Sequence, residues 1–91
     1  MKEKTKEITL ESGLVLQIDE NALDDMELLE VLIDLDEGKP SAVPSVGRHL
    51  LGEEQMKKLY ESLRKNGRVP ITGYSDAIKE ILGKLGETGK N

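Results

Sequence analysis

The acidic segment, residues 19–37, constrains the fold of this 91-residue chain more than any other feature. It holds nine carboxylates and no Lys or Arg, yet it is also rich in Leu, Ile and Val. The helical spacing of its apolar residues predicts a helix from Ala22 to Asp36. Asp19 or Asn21 is suitably placed to cap the start of this helix, and Gly38 would stop it.

The predicted acidic helix carries two apolar arcs, whereas a helix on a protein surface needs only one. The first arc consists of Leu23, Met26, Leu29 and Ile33. The second arc consists of Leu28, Val31, Leu32 and Leu35. Either the helix is central and covered on both sides by its own chain, or one arc is open to a partner protein or a second copy. If one arc is open, we expect it to be the second arc, which would then be the partner-binding surface.

The rest of the sequence predicts a small α+β fold that is mainly helical. Residues 7–10 and 14–18 alternate apolar and polar side chains around Glu11-Ser12-Gly13, a pattern typical of a β-hairpin. A small bundle of three to four helices should follow in the same domain, because 91 residues are enough for one domain only. We expect residues 1–6 and 86–91 to be disordered.

Three further helices are predicted after the acidic helix. A short one should run from Pro44 to Leu51 and a longer one from Glu53 to Lys65, with Gly52 between them. An extended connection over residues 68–73 should precede the last helix, from Ser75 to Leu85. The apolar residues that repeat at helical spacing in the last two helices should form the internal core. They are Met56, Leu59, Tyr60, Leu63, Ile78, Ile81 and Leu82.

No group of residues in the sequence is typical of an enzyme, so we expect no catalytic activity, cofactor or metal ion. The chain has no Cys and a single His, His49, which argues against a zinc site. The paired acids Asp24 and Asp25 do not follow the spacing of a calcium-binding EF-hand loop. A solvated charged face is the simpler interpretation of these carboxylates, and a surface position is the simpler one for His49.

Charge and hydropathy also argue against two classes of partner. The net charge is −5, and the basic excess outside the acidic segment is slight, so we expect no nucleic-acid binding. No stretch approaches the roughly 18 apolar residues of a membrane span, so we expect no membrane association. The absence of Cys fits a cytoplasmic protein. The uneven charge favours head-to-tail association of copies, or a basic partner.

Several strings of this sequence resemble those of one protein family. Asp24-Asp25-Met26-Glu27-Leu28-Leu29-Glu30 resembles the opening helix of tail assembly chaperones from long-tailed, siphovirus-type bacteriophages and prophages of Gram-positive bacteria. The similarity continues through residues 50–60, Gly67-Arg68-Val69-Pro70, Glu80-Ile81 and Gly89-Lys90-Asn91. It spans residues 24–91, and the hairpin region is less distinctive.

The resemblance implies a non-enzymatic holdase that binds the tape-measure protein and keeps it soluble during tail assembly. Such chaperones act in the cytoplasm of the bacterial host, form homo-oligomers and are absent from the mature virion. A longer form is often made by a programmed ribosomal frameshift. Gly89-Lys90-Asn91 is compatible with this, because these three residues can be encoded as GGA AAA AAC, which contains a slippery heptamer.

A small regulatory or DNA-binding accessory protein of the antitoxin type is the alternative. Residues 47–66 could imitate a helix-turn-helix, with the turn near Gly52. The second helix of this unit would begin with Glu53 and Glu54, and acids at that end would face DNA phosphates unfavourably.

Overall fold

An antiparallel β-hairpin opens the fold, as the alternating pattern predicts. The computed structural model describes residues 4–88, in which β1 (Thr5–Thr9) pairs with β2 (Val15–Asp19). The connecting turn is closed by hydrogen bonds between Leu10 and Leu14 (N to O, 2.8 Å) and between Gly13 and Leu10 (2.8 Å). Gly13 has a φ of 97°, a conformation that glycine adopts without a steric penalty.

The hairpin buries one of its faces against the helices. Ile8, Leu16 and Ile18 are all buried, and Ile8 lies directly opposite Leu16 in the register of the two strands. β2 packs against α2 (Ala42–Leu63), and the amide of Gln17 donates to Oε1 of Gln55 in that helix (2.9 Å). A two-stranded hairpin has little stability alone, so this contact with α2 holds it in place.

The acidic helix, α1 (Met26–Asp36), begins four residues later than the sequence pattern predicts. Its N-cap is Asp25, whose side chain accepts a hydrogen bond from the amide of Glu27 (2.9 Å). The predicted caps serve a preceding turn instead, in which the Asp19 carboxylate accepts from the amide of Asn21 (2.8 Å). Short polar side chains compete with helix formation in this way. The predicted stop at Gly38 is confirmed, with a φ of 83°.

The two helices predicted after α1 form one broken element, α2. The break is at Gly52, whose φ of 80° and ψ of 170° are not helical. The predicted division at this glycine is therefore confirmed. α2 is followed by a tight turn in which Asn66 (φ 52°) and Gly67 (φ 80°) occupy the left-handed region. Asn-Gly is the pair that such a turn favours.

The last helix, α3 (Ile71–Thr88), also differs from the prediction at its start. The predicted extended connection is wrong for residues 71–73, because the carbonyl of Pro70 already accepts a helical bond from the amide of Tyr74 (3.1 Å). Proline disfavours helix at the residue before it but is well suited to the first turn of a helix. Pro70 therefore marks a helix start and not a continuing connection.

The expectation of disordered chain ends fails where the structure describes them. Residues 5–6 belong to β1 and residues 86–88 belong to α3. The carbonyl of Lys4 accepts a hydrogen bond from the amide of Glu20 (3.0 Å). Residues 1–3 and 89–91 lie outside the described residues.

The fold class is the predicted one, α+β and mainly α. A single aliphatic core joins the hairpin to the three helices. Its most completely buried members are Leu16, Ile18, Leu28, Val46, Leu59 and Ile81. Of the predicted core, Met56, Leu59, Ile78 and Ile81 are confirmed as buried. The others, Tyr60, Leu63 and Leu82, are partly buried and pack against it.

Candidate protein-binding surfaces

The second arc of α1 faces the protein interior. Leu28 is only 1% exposed and belongs to the core, and Val31 and Leu32 are half-buried against it. Only Leu35, at 37%, retains substantial exposure. The expectation that these four residues form an open surface is therefore wrong for Leu28, and intramolecular packing also covers part of Val31 and Leu32 but leaves Leu35 exposed.

The first arc of α1 is the exposed one. Met26 is 64% exposed, Leu29 is 47% exposed, and Leu23 and Ile33 are exposed to a similar degree as Leu29. α1 packs against α2 on one side only, so the interpretation of a helix covered on both sides is also wrong. We call these four residues, Leu23, Met26, Leu29 and Ile33, the outer face. The sequence identified the arc but not its exposure.

Carboxylates accompany the outer face along α1. Glu27, Glu30 and Asp36 are exposed, and none of them forms an ion pair within residues 4–88. At the end of the helix, Nζ of Lys39 lies 3.2 Å from Oδ1 of Asp34 and 3.6 Å from Oε1 of Glu37. These exposed pairs stabilise little, but they partly neutralise acids that oppose the helix dipole. The rest of α1 keeps its negative charge.

A second apolar surface, which we call the cleft, was not predicted. It has a volume of about 410 Å³ between the start of α2, its last turn and the start of α3. Its lining consists of Pro40, Val43, Pro44, Tyr60, Val69, Ile71 and Tyr74. Ile71 is 74% exposed, the highest value among the large apolar side chains of the described chain. Because the lining comes from segments far apart in sequence, no local pattern could have identified it.

Tyr74 fixes the inner wall of the cleft. Its hydroxyl donates to the carbonyl of Val43 (2.6 Å) and accepts from the amide of Gly47 (3.1 Å), so it bridges a carbonyl and an amide four residues apart in α2. The ring of Tyr60 meets it edge to face, with centroids 6.1 Å apart. Burial raises the pKa of the Tyr74 hydroxyl, and the hydrogen bond from Gly47 acts in the opposite direction. These contacts anchor α3 to the first half of α2.

Across residues 4–88, no three His, Cys, Asp or Glu side chains are grouped so that they could hold a metal ion. His49 is exposed on α2. In the same part of the chain, no helix is long and apolar enough to cross a membrane.

The possible helix-turn-helix is only partly realised. Gly52 does separate two helical segments, and Glu53 and Glu54 are exposed at the start of the second one.

No family model matches this chain, and neither a curated protein nor a solved structure matches it.

Proposed function

We propose that this protein is a non-enzymatic tail assembly chaperone of the long-tailed phage or prophage type, which keeps a tape-measure protein soluble during tail assembly. One observation carries the proposal: α1 exposes Met26, Leu29 and Ile33 along one side, next to the exposed Leu23 in the preceding turn, while its neighbouring positions remain acidic. Exposed apolar patches of this kind mark sites of protein contact. Residues 24–30 resemble the opening helix of such chaperones, and this resemblance is the reason for proposing a tape-measure protein as the client.

The outer face fits a helical client that is apolar on one side and basic at the edges of that side. Met26, Leu29 and Ile33 are spaced as a helix presents residues to a second helix packed alongside it, and Leu23 lies in the turn just before α1. Lys or Arg on the client would then lie opposite Glu30 and its neighbours. The same carboxylates keep the free protein soluble and discourage association with acidic partners.

The energy available from the outer face points to a weak, repeated contact. Burying the exposed half of four aliphatic side chains is worth roughly 3–6 kcal/mol before the costs of association are subtracted. One copy would therefore bind one client segment weakly. A long helical client that offers many such segments would still be covered along its length, because separate copies can bind side by side.

The proposal also covers the compartment, the oligomeric state and the second partner that the resemblance implies. The protein acts in the cytoplasm of the bacterial host, forms homo-oligomers and is not part of the mature virion. A frameshift-extended form of the chain is a further partner. Its shift site would fall at Gly89-Lys90-Asn91, and the nucleotide sequence of these codons tests it directly.

Co-expression with the tape-measure protein of the same gene cluster tests the function. We expect the wild-type chain to raise the soluble fraction of the client, and we expect the double variant Leu29→Asp/Ile33→Asp to lose this effect while keeping its far-UV CD spectrum. Ser12→Asp is the matched control, because it adds a carboxylate at an exposed position of the hairpin turn.

The two parts of the proposal can fail separately. A tape-measure protein that stays insoluble with the wild-type chain would contradict the chaperone function. A tape-measure protein that is equally soluble with the Leu29→Asp/Ile33→Asp variant would contradict the assignment of the outer face.

The DNA-binding alternative has one supporting observation, the break of α2 at Gly52. It predicts a mobility shift of duplex DNA at low salt that weakens as salt is raised. Our proposal predicts no shift under those conditions.

A further inference from the structure

The outer face and the cleft are both apolar, and they lie in regions of opposite charge. Residues 19–37, which contain α1, hold nine carboxylates and no basic residue. Residues 38–74, which contain every residue that lines the cleft, hold seven Lys and Arg against three Glu. The two surfaces are therefore complementary in charge as well as in apolar character.

Positive charge is concentrated next to the cleft. Arg64, Lys65 and Arg68 surround the tight turn that leads directly into Val69. Arg64 is paired with Glu61 (3.1 Å), whereas Lys65 and Arg68 form no ion pair within the described residues. All three cations are exposed, and Lys65 and Arg68 remain available to an acidic partner.

Arg48 is a further cation of α2, next in sequence to Gly47, whose amide contacts the Tyr74 hydroxyl of the cleft. It is exposed, and it is close enough to the Tyr74 hydroxyl to oppose, by its charge, the rise that burial causes in the pKa of that group. The cleft lining itself carries no charged side chain. An apolar floor with a basic rim is the complement of an apolar stripe with acidic edges.

Pairings of like surfaces are disfavoured by the same charges. Two outer faces brought together would place the carboxylates of one α1 against those of another, and two clefts would bring two basic turns together. Only the contact between an outer face and a cleft joins opposite charges. A cleft of about 410 Å³ is also large enough to accept aliphatic side chains such as Met26, the most exposed member of the outer face.

We propose that the outer face of α1 in one copy docks into the cleft of a second copy. This contact is heterologous, since each copy contributes a different surface, and it leaves one surface free at each end of a dimer. Association therefore continues until a ring closes or the free protein is exhausted. If the outer face is also the client site, which rests on the function proposed above, client and second copy compete for it.

Two blocked variants of the full chain test this arrangement. Met26→Asp blocks the outer face, and Ile71→Asp blocks the cleft; both residues are highly exposed, so neither change disturbs the core. Sedimentation velocity over a concentration series should show the wild-type chain and the Ser12→Asp control associating. Each blocked variant should remain monomeric, with a dissociation constant raised roughly a hundredfold or more by the carboxylate in the contact.

Mixing the two blocked variants gives the decisive result. The Ile71→Asp copy still offers an intact outer face, and the Met26→Asp copy still offers an intact cleft, so the mixture should form 1:1 dimers and nothing larger. A mixture that stays monomeric overturns the proposal, as does a wild-type chain that stays monomeric. Association of Ile71→Asp alone overturns it too, because the cleft would then not be needed.

Client binding separates this inference from the proposed function. Ile71→Asp leaves the outer face intact, so it should solubilise the tape-measure protein at least as well as the wild-type chain. If it solubilises the client but the wild type never associates, the self-docking fails and the chaperone function stands. If the wild type associates as described but solubilises no client, the chaperone function fails and the self-docking stands.

Discussion

Two adjacent leucines of α1 should lose very different amounts of folding stability on the same substitution to Ala. Leu28 is 1% exposed and packs in the core, whereas Leu29 is 47% exposed on the outer face. Leu28→Ala removes buried methyl groups and leaves a cavity, which costs about 2–5 kcal/mol. Leu29→Ala removes a half-exposed side chain and should cost below about 1 kcal/mol. The small effect of Leu→Ala on helix propensity is shared by both variants and cancels in the comparison.

The difference is large relative to the stability of a domain of this size. Small domains are stable by about 5–15 kcal/mol, so Leu28→Ala would remove a substantial part. Urea denaturation followed by far-UV CD in dilute solution measures both variants against the wild type. We expect the midpoint to fall clearly for Leu28→Ala and to change little for Leu29→Ala. Equal losses, or a larger loss for Leu29→Ala, would show that α1 is rotated and that the outer face is misassigned.

Four other substitutions test how particular residues contribute to folding stability. Leu32→Asp places a charge on a half-buried side chain packed against the core, so it should lower the urea midpoint rather than act on binding alone. Gly47→Ala should cost about 1–3 kcal/mol in thermal denaturation, because its Cβ would clash with the Tyr74 hydroxyl. Gly52→Ala meets no atom, but its φ of 80° and ψ of 170° suit only glycine, so urea denaturation should show a loss of about 1–3 kcal/mol. Burial raises the pKa of Tyr74 above 10.0 in the folded protein, so the unfolded chain loses this proton first. Stability measured by urea titration at increasing pH should therefore decline above about pH 10, and less steeply for Tyr74→Phe, which has no proton to lose there.

Local chemistry accounts for the parts of the fold that the sequence predicts well. Gly13, Gly38 and Gly52 all have positive φ, and each lies at the turn, helix end or helix break that its position indicates. Their effect depends on the backbone of one or two residues and needs no knowledge of tertiary packing. Pro70 alone does not show whether residues 71–73 are extended or helical, because proline both ends the preceding segment and suits the first turn of the next helix.

Tertiary packing decides the features that the sequence could not supply. The two arcs of α1 have similar apolar character, and Leu28 and Leu29 are the same residue type. Which of them is buried depends on where α2 lies, and α2 is positioned by the hairpin and α3 as well. The cleft depends on the approach of Pro40 and Ile71, which are 31 positions apart in the chain.

Oxidation of Met26 by hydrogen peroxide tests the central claim, that the outer face is the client surface. Met26 is 64% exposed and Met56 is buried, so Met56 serves as an internal reference within the same chain. Mass spectrometry would follow both residues in the free Ile71→Asp variant, whose outer face is not covered by a second copy, and in its purified complex with the tape-measure protein. The account predicts rapid oxidation of Met26 in the free protein, strong protection in the complex and slow oxidation of Met56 in both. Equal rates for Met26 in the free protein and in the complex would contradict it.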